Sequence, residues 1–188
     1  MVIGVLSLQG DVIEHINHIK KAGHTGVEVK TKQDIDAIDA LILPGGESTA
    51  IGRLLKITEL QDYLKEKIIN GLPVWGTCAG MILLAKDIDG EDKVHLGIMN
   101  IKVKRNAYGT QLDSFRIQKT VEHISKDPID MVFIRAPYIE EFSENVKPLI
   151  YVDGNLVAAK ENNILVTSFH PELTDNITFL NYFINEIC

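Results

Sequence analysis

The chain has 188 residues, of which 45% are hydrophobic, 24% charged and 6% aromatic. That suits one globular domain with its own core and excludes a collagen-like or disordered chain. The formal net charge of −7 argues against duplex nucleic acid or an anionic membrane as the main partner, since both need a basic face; it leaves room for a small anionic ligand held by one or two arginines. The two cysteines, Cys78 and Cys188, make neither a disulfide framework nor a zinc-type pair, which points to a reducing compartment. Residues 1–11 read as a buried first strand rather than a signal peptide, and no run approaches the roughly 18 apolar residues of a membrane helix. A cytoplasmic protein is expected.

Val2–Leu8 is a short apolar run of strand length. Asp11 stands three residues before Glu14, in the manner of a capping box. Val12, Ile16 and Ile19 follow at helical spacing, and Gly23 suits the helix exit. Gly26–Lys30 and Ala40–Leu43 are further strands, the latter closed by Pro44-Gly45-Gly46. A helix follows over Ile51, Leu54 and Leu55. Thr58 with Gln61 reads as a second capping box, opening a helix toward Ile69. After the Gly71-Leu72-Pro73 break, Pro73–Gly76 is strand-like and Ala79–Ala85 helical. Strands and helices alternating at this spacing imply a parallel sheet covered on both faces.

From Val94 to Ser168 the helical period weakens. Short β-rich runs appear at His95–Lys104, Ser114–Lys119, Met131–Ile134, Leu149–Val152, Leu156–Ala159 and Ile164–Ser168. Asp89-Gly90 marks a turn ahead of them, and Asp153-Gly154 is a hairpin signal. Ile177, Leu180, Ile184 and Ile187 restore a helical face at the end. The fold class is therefore α/β: an open, mostly parallel sheet flanked by helices, with antiparallel strands in the C-terminal half, in a single domain spanning residues 1–188.

The sharpest chemical signal is Gly76-Thr77-Cys78-Ala79-Gly80 between an apolar strand and an apolar helix. This has the form of a nucleophile elbow with Cys in place of Ser. Glycines at the flanking positions relieve the crowding of a tight strand-to-helix turn. The helix start beyond Cys78 favours a thiolate, and the Ala79 N–H is placed to stabilise an oxyanion. A buried structural cysteine in a Gly-containing turn is the alternative.

A cysteine nucleophile needs a base and an orienter. His15, His18, His24, His95 and His123 sit in polar or amphipathic settings and read as surface residues. His170 follows an apolar strand and opens His170-Pro171-Glu172. In extended chain His170 and Glu172 project to the same side, so the carboxylate can reach the imidazole. A strand-end histidine with a solvated glutamate is the alternative. Pro44-Gly45-Gly46-Glu47-Ser48-Thr49 ends another strand, where Gly46 N–H could be a second oxyanion donor and Glu47 and Ser48 could hold an amine and a carboxylate. The alternative is an ordinary Gly-rich loop with Ser48 or Thr49 as N-cap. No lysine makes it a P-loop. Ligand sites in open α/β sheets gather at strand C-terminal ends, where these motifs would meet.

Taken in order along nearly the whole chain, these motifs resemble the class I (triad) glutamine amidotransferases. Leu6-Ser7-Leu8-Gln9-Gly10, the Pro44–Thr49 stretch, Arg105-Asn106-Ala107-Tyr108-Gly109, Ser114-Phe115 and Phe133-Ile134-Arg135-Ala136-Pro137 narrow the resemblance to the glutaminase subunits of pyridoxal 5′-phosphate synthases. The resemblance implies that Cys78 attacks the side-chain amide of L-glutamine, that His170 activates it and protonates the leaving ammonia, and that Glu172 orients His170. It implies an oxyanion hole from Gly46 and Ala79, glutamine contacts from Gly46, Glu47, Ser48, Arg105, Ile134 and Arg135, and a place for Gln9 at the partner interface and in activation. The implied partner is a (β/α)8 synthase subunit that receives the ammonia; no cofactor or metal is assigned to this chain. Two positions depart from the pattern, Asp11 where small residues are common and Thr110 where a basic one is. A hydrolase acting on another amide and a non-catalytic binding module are the competing readings.

Overall fold

The computed structural model describes residues 1–105 and 114–188. Asn106–Gly109 of the arginine-containing motif, and Thr110, lie outside the described residues. The elements in chain order are β1 (Val2–Leu6), α1 (Val12–Lys21), β2 (Thr25–Val29), α2 (Lys32–Asp36), β3 (Ala40–Leu43), α3 (Ser48–Ile57), α4 (Gln61–Ile69), β4 (Val74–Thr77), α5 (Ala79–Leu84), β5 (Ala85–Ile88), β6 (Met99–Lys104), β7 (Ser114–Val121), β8 (Ser125–Ile134), β9 (Tyr138–Phe142), β10 (Lys147–Val152), β11 (Asn155–Glu161), β12 (Ile164–Thr167), a 3₁₀ turn (Pro171–Leu173) and α6 (Thr178–Glu186).

The main sheet runs β2-β1-β3-β4-β12-β11-β9-β6-β5, with β10 paired to β11, and β7 and β8 form a separate antiparallel ribbon. Pairing is parallel from β2 through β1, β3 and β4 to β12 and antiparallel from β12 through β11, β9 and β6. The strands in the middle alternate faces. Leu41, Leu43, Val74 and Val166 join the core under α3, α4 and α5. Ala40, Ile42, Trp75 and Leu165 join a second core under α1, α6 and the β7–β8 ribbon. Buried apolar residues on both faces are what a covered parallel sheet requires. Trp75 anchors the second face: its Nε1–H donates to Thr167 Oγ1 at 3.1 Å, and its ring packs on Phe179 and Phe183 at 6.0 and 5.7 Å.

Several local expectations are corrected. Asp11 stands before α1, but its side chain makes no capping hydrogen bond; it turns toward His170 instead. Thr58 closes α3, its Oγ1 donating to the Leu54 carbonyl, and does not open α4. Neither Ser48 nor Thr49 is the cap of α3: Glu47 is, accepting from the Thr49 and Ala50 N–H groups. Helix α5 stops at Leu84 because Ala85 already begins β5, and that strand, α2 and β9 carried too weak a periodicity to be read. The Asp153-Gly154 turn does join β10 to β11, with both residues at positive φ as a two-residue hairpin needs.

Candidate active site

The order β1-β3-β4-β12 decides where the chemistry collects. Adjacent parallel strands release Gln9, Gly46, Cys78 and His170 from the same sheet edge, although 92 positions separate the last two in sequence. This is the carboxyl-end crevice where α/β sheets carry their ligands.

Cys78 sits at φ 48° and ψ −102° between β4 and α5, a backbone conformation that an L-residue keeps only when its surroundings enforce it. Both flanking glycines are required by contact. A Cβ on Gly76 would lie 2.6 Å from the Gly80 carbonyl group, and one on Gly80 would lie 2.2 Å from the Leu43 oxygen. The Cys78 N–H donates to the Thr167 carbonyl at 2.8 Å, tying the bend to β12. Cys78 is 8% exposed, its sulfur 3.9 Å from the Ile134 carbonyl. Ala79 opens α5, and the first N–H groups of a helix have no partner within it.

His170 follows β12 directly. Its N–H donates to the Val132 carbonyl of β8 at 2.8 Å, which fixes the ribbon, and with it Ile134, against the sulfur. Pro171 starts a 3₁₀ turn rather than extended chain. The tight turn still brings Glu172 back to the ring: His170 Nδ1 and Glu172 Oε1 are 2.7 Å apart, both residues buried. Burial works to lower the basicity of His170, but hydrogen bonds with Asp11, Cys78 and Glu172 outweigh it and push its pKa up to about 12. Burial works to raise the Glu172 pKa, and the nearby His15 and His170 imidazoles reverse that and hold it low. The pair is therefore imidazolium and carboxylate at neutral pH.

A cleft of about 370 Å³ opens in front of the sulfur, lined by Gln9, Asp11, Gly46, Glu47, Ser48, Cys78, Ala79, Ile82, Arg105, Ile134, Arg135 and His170. Of the residues assigned to the triad, the oxyanion hole, glutamine contact and activation, all line this cleft except Glu172, which stands behind His170. Gly46 has φ +143°, and a Cβ there would meet Gln9 Oε1 at 2.6 Å. That same oxygen accepts the Glu47 N–H at 2.8 Å, so Gln9 latches the Gly-rich loop. The Glu47 carboxylate is occupied by its helix cap and by Arg105 at 3.4 Å, and Arg105 makes a closer pair with Glu91 at 2.6 Å. Burial would raise the Glu47 pKa, but the Ala50 and Thr49 N–H groups hold it down. Arg135 is exposed at φ 43°.

Some residues of the site were not singled out. His15 and His18 are buried, not on the surface. The signal was available, since both fall on the Val12, Ile16, Ile19 side of α1. Asp11 Oδ2 stands 3.4 Å from His170 Nδ1, pointing straight at the imidazole. Asp11, His170 and Glu172 present donor atoms within 4.8 Å of one another, an arrangement open to a divalent ion. Such an ion would take the His170 Nδ1 and Glu172 oxygen that now bind each other.

Comparison with known proteins gives a consistent picture. The model of the SNO glutamine amidotransferase family matches residues 5–188. The pyridoxal 5′-phosphate synthase subunit PdxT of Clostridium beijerinckii is 64% identical over 184 residues, covering 98% of this chain and 97% of that protein. The PdxT subunit of Clostridium botulinum is 57% identical over 185 residues, covering 98% and 96%. A crystal structure of a glutamine amidotransferase superposes with a TM-score of 0.92 at 39% identity, covering 98% of this chain and 97% of that one.

Proposed function

The chain belongs to the SNO glutamine amidotransferase family, and on that premise we propose that it is the glutaminase subunit of a pyridoxal 5′-phosphate synthase. It hydrolyses L-glutamine to L-glutamate and ammonia and supplies the ammonia to a synthase subunit. Residues 1–188 act as one glutaminase domain, and the partner is a (β/α)8 protein in the same cytoplasm. Among the described residues no helix is long and apolar enough to cross a membrane.

One observation carries the chemistry: the strained Cys78 and the imidazole of the buried His170–Glu172 pair, whose Nδ1 and Oε1 stand 2.7 Å apart, line the same cleft. With the proton on His170, Cys78 attacks the glutamine amide carbon as the thiolate and the carbonyl oxygen becomes an oxyanion. Ala79 N–H and Gly46 N–H stabilise that charge; each such donor is worth about 10²- to 10³-fold in rate. As the C–N bond breaks, the imidazolium gives its proton to the leaving nitrogen, releasing ammonia and leaving a thioester on Cys78. His170, now neutral, takes a proton from water. The hydroxide adds to the thioester, glutamate leaves, and the sulfur is regenerated. Glu172 holds the ring in register throughout. Glutamine carries an ammonium and a carboxylate, and the cleft offers Glu47 for one and Arg105 and Arg135 for the other, with Ser48 and Ile134 alongside. Arg105 must share its ion pairs with the incoming carboxylate.

The test is ammonia release from glutamine by this chain mixed with a pyridoxal 5′-phosphate synthase subunit. Wild type should turn over, and Cys78→Ala should fall by about 10⁵-fold or more. A Cys78→Ala complex with full activity would overturn the assignment. A Cys78 inert toward a glutamine-like diazo-ketone in the complex would favour a binding module.

A further inference from the structure

Helix α1 brings a second imidazole to the carboxylate of the proposed triad. His15 is 1% exposed. Its Nε2 lies 3.5 Å from Glu172 Oε1 and 3.1 Å from Thr77 Oγ1, and Thr77 is the last residue of β4, bonded directly to Cys78. The ring stands edge-on to Trp75 at 6.4 Å, which confines it. An ionised carboxylate has no hydrogen to give, so the nitrogen facing it carries one. His15 Nε2 hydrogen-bonds with the threonine hydroxyl at 3.1 Å and faces Glu172 Oε1 at 3.5 Å. That is the oxygen that accepts from His170 Nδ1, whereas Glu172 Oε2 is buried and has no hydrogen-bond partner among the described residues. Two imidazoles thus stand at one oxygen of the carboxylate.

We infer that His15 is a positioning residue for the glutaminase reaction, tying the carboxylate that orients His170 to the strand end that carries Cys78. The inference rests on the proposed function and adds a residue to it. Its electrostatics agree. Two imidazoles share one carboxylate, and both cannot carry a proton without weakening the other's hold. Burial lowers the His15 pKa against the opposing pull of Glu172, with His170 lowering it and Asp11 and Glu14 raising it, while the hydrogen bonds of His170 raise its own. Environments that push two such groups apart assign their roles: His15 is the weaker base and holds its place, and His170 exchanges the proton. The same helix start also carries Asp11, one turn before His15 and 3.4 Å from His170 Nδ1. The Gln9–Asp11 turn and α1 therefore bear on both members of the pair.

The experiment is steady-state glutamine hydrolysis by the complex with the synthase subunit. His15→Phe keeps a flat ring and removes the donor; we expect kcat to fall about 10- to 100-fold, as a misplaced catalytic group does, with KM within about twofold. His15→Gln can donate from near the Nε2 position and should recover most of kcat. Should the phenylalanine variant fail to fold, His15→Asn, whose amide falls short of Glu172, takes its place against His15→Gln. Unchanged kcat in a folded donor-less variant, a loss lying wholly in KM, or equal damage from the donor and donor-less variants would overturn the inference. The rate of iodoacetamide labelling of Cys78 in the same variants separates this from the parent reading. If the wild-type complex releases no ammonia, the glutaminase assignment fails. Labelling that is slower in His15→Phe and restored in His15→Gln still upholds His15, and equal rates reject it.

Discussion

At the Cys78 bend nearly every freedom is removed by backbone contact, whereas at the rim around Arg105 and Arg135 partly exposed side chains hold one another by charge. Gly76 and Gly80 leave no room for a Cβ, and the bend is pinned to β12 by a main-chain hydrogen bond. Arg105 instead divides itself between Glu91 and Glu47, pairs that water and salt screen. The difference teaches where each task is placed. Attack on a carbonyl tolerates little error in the position of the sulfur. Admitting and releasing a charged substrate needs contacts that can be exchanged.

The comparison can be broken or sharpened by experiment. Glu172→Gln keeps the shape but offers His170 an uncharged partner; kcat of the complex should fall by about 10³- to 10⁴-fold, read as ammonia release, and a fall below tenfold would remove Glu172 from the triad. Gly80→Ala drives a methyl into the Leu43 carbonyl and should cost about 2–4 kcal/mol, measured by urea unfolding; a neutral result would show the bend to be softer than its contacts imply. Arg105→Ala should raise KM for glutamine about tenfold while kcat stays within about threefold. A drop in kcat with constant KM would move Arg105 from the rim to the reacting centre.

The smallest effect concerns acid. Burial of His18 pulls its pKa down to about 4. The unfolded chain takes up this proton near its ordinary value of 6.5 and the folded chain does not. The stability from His18 is therefore complete above pH about 6.5 and is lost as pH falls toward about 4. His15 shifts in the same direction. His170 runs oppositely, holding its proton in the folded state, so its contribution is full below pH about 6.5 and declines as pH rises above it. Thermal melts between pH 7 and 4 should show His18→Phe losing less Tm on acidification than wild type; parallel losses would refute the assignment.

The elbow was legible because its rule is local. A strand, a glycine on each side of a cysteine and a helix are consecutive, and sterics act over a few residues. His170-Pro171-Glu172 was legible as a pair for the same reason, although the turn that joins them proved to be 3₁₀. Asp11 does stand at the N-cap of α1, but its side chain turns from capping to a partner 159 positions away, and Thr58 closes α3 instead of opening α4. His15 and His18 were placed on the surface by residue type. Helical spacing put them on the buried side, and spacing was the stronger argument.

The sequence by itself determined that a cysteine stands at a sharp strand-to-helix bend, that an imidazole and a carboxylate are close in chain, and that strands and helices alternate around them. These depend on covalent order and short-range sterics. Only the tertiary structure decided that β4 lies between β3 and β12, so that sulfur, imidazole and Gly-rich loop share one cleft. It alone decided that α1 lays a buried histidine against the carboxylate behind them. Strand order and burial are set by how both faces of the sheet are covered at once, which no short stretch of chain encodes.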